Sequence, residues 1–348
     1  VDDLATEVWS IHPSCFSRDF FLRHCPHPRG SYTRAMKIPR FVFPAVCIAV
    51  VALASLARAA EFEIRDEAEF KKLVPAGAKV AKLAGDMKFL EGPQWMPTDG
   101  GYLVFSDIPA NELKKWTKAG GVTTFRAPSQ NSNGNTIDGQ GRLVTAEHSG
   151  RRVSVTGKDG TVKTLADRFD GKKFNSPNDV VVKSDGTVWF TDPDYGLANK
   201  AAKEVPGNFV YRLDTASGAV TAVAKDFDKP NGLCFSPDEK RLYIADSGKP
   251  RHIRVFDVNA DGTLANGKVF CAIDKGAPDG IRCDRDGRLW SSAGDGVQIF
   301  SADGKLIGKI LVAESPANLC FGGPDLSTLY ITARKSLYSI ETSVKGIR

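Results

Sequence analysis

Of 348 residues, 25% are charged and 42% hydrophobic, the balance of an ordinary globular protein, and a single all-β domain can be this large. The formal charge of +6 shrinks to 40 basic against 37 acidic residues once positions 1–59 are set aside. So weak a bias, spread along the chain without a cluster, excludes nucleic acid as the expected partner.

Residues 1–35 carry Cys15, Cys25, His12, His24 and His27 with no periodicity, and read as lying upstream of a natural start at Met36. From there Lys37 and Arg40 make a charged n-region, residues 41–57 an apolar run, and Ala57-Arg58-Ala59 a small-x-small cleavage site. The run is only just long enough to span a bilayer and contains Pro44, so a signal peptide over 36–59 is favoured over an anchor. The mature chain is then expected in the periplasm or outside the cell, with no stable membrane association.

Residues 60–78 form an N-terminal extension whose charged start is compatible with a short surface helix. The AKVAKLA stretch after it can supply a strand that closes a ring against the last repeat. Residues 79–348 form one domain. Within it one pattern occurs six times: a polar opening, an apolar strand, a tight turn and a second apolar strand. The clearest copy is NSPNDVVVKSDGTVWFTDPDYG at 175–196. Aligned on the turn, the second strands recur at Leu103, Leu143, Val188, Leu242, Leu289 and Leu329. Gaps of roughly 40 to 54 residues are those of propeller blades, so the fold class is all-β, a six-bladed β-propeller.

The residues that open the six inner strands are Glu91, Asn133, Asn178, Asn231, Asp279 and Ala317. Five of them carry a side-chain oxygen. Inner strands line the central channel, so these residues form a ring at one mouth. Amide and carboxylate oxygens, with no Lys or Arg among the six, suit a hard divalent cation. Ca2+ comes first, with Zn2+, Mn2+, Mg2+ or Fe2+ as other candidates. In Pro278-Asp279-Gly280 the glycine is expected to leave room for an approaching substrate. The segment 195–208 is the longest insertion and is expected to form a loop over the mouth. Beyond residue 60 the cysteines are Cys234, Cys271, Cys283 and Cys320, three of them at one repeat position, and they read as buried free thiols.

The motifs EGPQW, NSPNDVVVKSDGTVWFTDPDYG, PNGLCFSPDEKRLYIADS and APDGIRCDRDGRLW closely resemble the SMP-30/gluconolactonase/LRE-like family, from about residue 75 to the C-terminus. The resemblance implies a six-bladed propeller with a divalent metal in its channel. It also implies hydrolysis of a small-molecule lactone, or of an organophosphate or other ester on the same site. The family's metal-binding positions fall on Glu91, Asn178, Asn231 and Asp279. The resemblance also puts Asn133, Glu147 and His148 at the pocket rim. Asp192 and Tyr195, at the end of the third repeat, complete the substrate-binding candidates. Asp279 and His148 are the candidate proton acceptors, His148 because an imidazole titrates near neutrality. Some family members carry an arginine two residues before the third-blade asparagine. Ser176 stands there, which puts a sugar-specific pocket in question. A reading from another class is a secreted binding propeller whose ion is structural.

The leader makes one direct prediction: mature protein from the native host begins near Ala60. N-terminal sequencing tests it, and soluble cytoplasmic protein that retains residues 36–59 would refute it.

Overall fold

The computed structural model describes residues 61–347, so the expected leader at 36–59 and the stretch before it lie outside the described residues. The described chain is a six-bladed β-propeller. Each blade is an antiparallel sheet laid down from the channel outward. The inner strands are Leu90–Met96, Ser132–Ile137, Val180–Val182, Pro230–Phe235, Ile281–Cys283 and Pro316–Gly322. Among the described residues no helix is long and apolar enough to cross a membrane.

The six repeats share one register. Leu103, Leu143, Val188, Leu242, Leu289 and Leu329 each pair with the inner strand, opposite Trp95, Ile137, Val182, Phe235, Cys283 and Phe321. All six second-strand residues are buried. A blade is packed against a neighbour on both faces, so its second strand is apolar on both sides and does not alternate. The four cysteines are free and buried, as expected, but only Cys234 and Cys320 share a repeat position; Cys283 lies one residue further along its strand, opposite Leu289, with 3.7 Å between its sulfur and that of Cys234 in the neighbouring blade.

The ring is closed by the strand Ala81–Ala84, which pairs with Ser336–Glu341 as the outermost strand of blade six. The segment before it is more than an extension. Phe62–Ile64 pairs with Leu306–Leu311 and adds a fifth strand to blade five. Between these strands lies a helix, Glu67–Leu73, capped by Asp66, whose carboxylate accepts the Glu69 amide at 3.1 Å. Acidic residues in its first turn and lysines in its last complement the helix dipole. Its outer face is solvated as expected, but Phe70 and Leu73 are buried with Val297, Ile307 and Ile310 in the main core.

Leu73 is fully buried at this junction, and truncation leaves a cavity. Leu73→Ala is expected to cost about 2–5 kcal/mol by chemical denaturation. A cost below about 0.5 kcal/mol, the scale of an ordinary surface substitution, would mean that the helix is not part of the core.

Candidate active site at the channel mouth

The ring residues are delivered by loops that the fold fastens in two ways. The first fastening is an aspartate at the end of the second strand. Asp107 accepts the amides of Lys88 and Phe89, Asp192 those of Asn175 and Ser176, and Asp246 those of Asp228 and Lys229, all at 2.8–3.1 Å. In each case the second amide lies two residues before the ring residue. Blade two has Glu147 at this repeat position. Glu147 turns instead to Arg126 (3.1 Å), Arg152 (2.5 Å) and the Ser154 hydroxyl (2.7 Å), and the Asn111 side chain takes over the loop amides of Ser129 and Asn131. Asp192 and Glu147 are therefore placed differently from the substrate contacts expected of them. Both are fully buried, with their oxygens engaged in holding the loop and the blade.

The second fastening runs between blades. The ring carbonyl of Asn178 accepts the Gly134 amide (2.7 Å), that of Asp279 the Gly232 amide (3.1 Å), and that of Ala317 the Gly280 amide (2.8 Å). The carbonyls of Asn133, Asn231 and Ala317 accept the hydroxyls of Ser106, Thr191 and Ser292 at 2.7–2.8 Å. Gly280 is thus a packing residue rather than a gap left for substrate. A Cβ there would collide with the Asn318 backbone and side chain, and one at Gly134 would meet Asp179 and the Asn178 carbonyl.

At the mouth the structure brings together Glu91, Asn133, His148, Asn178 and Asn231, all buried, and Asp279, which is half-buried with its Oδ1 enclosed. Glu91 accepts its neighbour's Gly92 amide at 2.9 Å. Its carboxyl is raised to about 7, first by burial and further by Asp179, with Asn318 and Arg282 pulling the other way. Asp279 is raised well above the carboxylate range by burial, then by Glu91 and Asp179, and an Asn231 hydrogen bond opposes this. Asp279 Oδ1 and Asn133 Oδ1 are buried without a hydrogen-bond partner, an arrangement that native proteins rarely tolerate without a purpose. Two close buried carboxylates and orphaned oxygens fit a hard cation that takes Glu91, Asp279 and the amides of Asn178 and Asn231. Among the described residues no three His, Cys, Asp or Glu form a ligating cluster, so amide oxygens would supply half of these protein ligands.

His148 lies against the ring, with Nε2 3.1 Å from the Asn133 amide nitrogen. Burial lowers it to about 4, so it is neutral at pH 7 and its Nε2 accepts from Asn133. The insertion 195–208 reaches the mouth with its first two residues. Gly196 packs on the His148 ring, while Tyr195 reaches Ser247 and the field of Asp279. Ser176 anchors this loop: its hydroxyl accepts the Gly196 amide (2.9 Å) and donates to the Pro193 carbonyl (2.6 Å).

One layer of the site escaped the sequence reading. In four blades the residue after the ring position is glycine, but blade three has Asp179 and blade six has Asn318. These blades are diametrically opposite, and the two side chains meet across the channel, Asn318 Nδ2 to Asp179 Oδ2 at 3.4 Å. Arg282, three residues beyond Asp279, reaches the same oxygen at 3.5 Å. The ring itself has no basic residue, as expected, but the channel beneath it does. The broken glycine pattern was the available signal for Asp179 and Asn318. For Arg282 the signal was of the same kind, since its repeat counterparts Gln94, Thr136, Val181, Cys234 and Cys320 are all uncharged.

Residues 89–335 match the family model described as SMP-30/Gluconolactonase/LRE-like region. The chain is 32% identical over 304 residues to a gluconolactonase of Zymomonas mobilis, covering 79% of this chain and 84% of that protein. It is 29% identical to a pentonolactonase of Haloferax volcanii, over 70% of this chain and 80% of the other. Among solved structures, a gluconolactonase from Xanthomonas campestris superposes with a TM-score of 0.76 at 34% identity, over 81% of this chain and 95% of that one.

The buried neutral imidazole predicts a pH dependence. With a folded value near 4 and an unfolded value near 6.5, its stabilising contribution is complete above pH 6.5 and is lost as pH falls toward 4. The loss amounts to about 3 kcal/mol by linkage. Denaturation at pH 7 and pH 4.5 should show a smaller difference for His148→Gln than for the parent protein. Equal differences would contradict the assignment.

Proposed function

Because the chain belongs to the SMP-30/gluconolactonase/LRE-like family, we propose that it opens a sugar lactone by attack of water at the channel mouth. One divalent cation, Ca2+ first among candidates, would be held there by Glu91, Asn178, Asn231 and Asp279. The coarser statement, that the chain is a lactonase and so a carboxylic ester hydrolase, rests on gluconolactonase and pentonolactonase relatives that match most of its length. The observation that carries the finer reading is the partnerless, buried Oδ1 of Asp279. The bound cation would supply Lewis-acid polarisation of the lactone carbonyl and charge stabilisation of the oxyanion.

The chain's own residues do the rest. The oxygen of water bonds to the carbonyl carbon, the ring C–O bond breaks, and the departing ring oxygen becomes a hydroxyl group. The Asp279 carboxylate, through the oxygen that does not hold the cation, receives the proton from the attacking water and returns it to that leaving oxygen. Asp279 is preferred over His148 because the His148 Nε2 already accepts from Asn133. His148 thereby fixes the Asn133 amide and leaves its buried Oδ1 to accept from a substrate hydroxyl. Tyr195, about half exposed beside Lys229, offers its hydroxyl at the rim.

Asp279→Asn retains one oxygen ligand but removes the base. It is expected to abolish nearly all turnover of an aldonolactone even at saturating Ca2+, a larger loss than His148→Gln causes. Recovery of near-parental turnover in Asp279→Asn once Ca2+ saturates would reduce Asp279 to a ligand. In the parent protein, a chelator should stop turnover while the circular dichroism spectrum of the fold persists.

A further inference from the structure

Blades four and five meet through a pair of thiols that the reaction does not use. Cys234 lies three residues beyond Asn231 on the inner strand of blade four, and Cys283 four residues beyond Asp279 on that of blade five. Both are buried, and Cys234 Sγ donates to Cys283 Sγ at 3.7 Å. Nearer the mouth the same two segments are already tied, the Gly232 amide to the Asp279 carbonyl at 3.1 Å. A Cβ at Gly232 would strike that carbonyl and the Gly280 Cα, so the two backbones run in close contact there.

The other two cysteines of the domain differ. Cys320 occupies the repeat position of Cys234 in blade six, and Cys271 lies on the outermost strand of blade four. Among the described residues neither hydrogen-bonds to another sulfur. For the Cys234 and Cys283 sulfurs to reach the roughly 2.0 Å of a disulfide they must come about 1.7 Å nearer, a movement that rotation of the two side chains supplies. The Cys283 thiol is raised well above its ordinary value, by its hydrogen bond with Cys234 and then by burial. The packed thiols are therefore poor nucleophiles, and their oxidation belongs to folding, before the blades close on each other.

We propose that Cys234 and Cys283 form a disulfide between blades four and five when the chain folds in the presence of a disulfide donor. The thiolate of one cysteine attacks a donor sulfur, and the other donor sulfur leaves as a thiolate. The thiolate of the second cysteine attacks the protein sulfur of this mixed disulfide and expels the rest of the donor. The protons of the two protein thiols end on the two donor thiols, so the protein loses two hydrogens and one donor disulfide is reduced. A mixed disulfide has no room at a buried, close-packed site, so packing of the blades favours the second step. The bond joins the strands that follow Asn231 and Asp279, and it restricts the unfolded chain between them. The inference stands independently of the lactonase reading.

The test refolds the full chain from denaturant with glutathione disulfide or with dithiothreitol, alkylates it in denaturant, and maps its peptides without reduction. The oxidised sample is expected to yield Cys234 joined to Cys283, with Cys271 and Cys320 alkylated. Its near-UV circular dichroism should match that of the reduced sample. Dithiothreitol should lower the urea midpoint of the oxidised parent and leave that of Cys234→Ala/Cys283→Ala unchanged. Folded protein from glutathione disulfide in which Cys234 and Cys283 are both alkylated overturns the proposal. So does a cross-link found only in protein that has lost its near-UV spectrum, or a parent midpoint that dithiothreitol does not move. If the double variant does not fold, the peptide map and the shift in the parent decide.

Discussion

The mouth of the channel depends on hydrogen bonds from blades one to five, each to the ring carbonyl of the blade that follows. Gly134, Gly232 and Gly280 donate backbone amides, and Ser106, Thr191 and Ser292 donate hydroxyls. Buried carbonyls of this kind must be paired, and pairing them across a blade boundary fixes each ring residue relative to its neighbour. A ligand set drawn from four different sheets thereby acquires the rigidity of one element, which is what a preorganised polar site requires. The glycines follow from the same constraint, since the donating backbone must come close enough to leave no room for a Cβ.

Rigidity of this sort carries an energetic cost. Glu91 and Asp179 are buried and lie with the half-buried Asp279 in one another's fields, and Asp279 Oδ1 is enclosed without a partner. Burying like charges destabilises a fold unless something compensates them. The stability comes from elsewhere in the molecule, including the large apolar cluster that joins blades one, five and six to the N-terminal helix. Strain of this sort at a binding site, supported by an ordinary core around it, is the usual division of labour in enzymes.

Much of the architecture was legible because it repeats. The second strands gave period and register, and each of the six residues at Leu103, Leu143, Val188, Leu242, Leu289 and Leu329 lies in the core. The ring followed from alignment alone. What alignment could not separate was two uses of one residue type. Asp192 and Asp279 are both acids at strand ends near the mouth, yet one holds backbone amides and the other has a bare oxygen. Their repeat positions differ, Asp192 closing a second strand and Asp279 opening an inner one, but position alone does not say which acid is spent on backbone amides. Glu147 is a similar case: one extra methylene turns it from the loop to two arginines that come from separate strands. Ser176 looked like the loss of a substrate-binding arginine, but it holds the loop that carries Tyr195.

The strand that closes the ring has a consequence for how such a chain comes into being. Ala81 pairs with Ser339, partners at opposite ends of the domain. During synthesis the strand 81–84 emerges early and must wait, its edge unpaired, until the last blade has been made. Local blades can assemble in order, but the ring cannot shut until that distant meeting occurs. Contacts of such wide sequence separation slow folding and leave strand edges exposed in the interval. Synthesis of the last strand therefore sets the earliest moment at which the mouth can take its final shape.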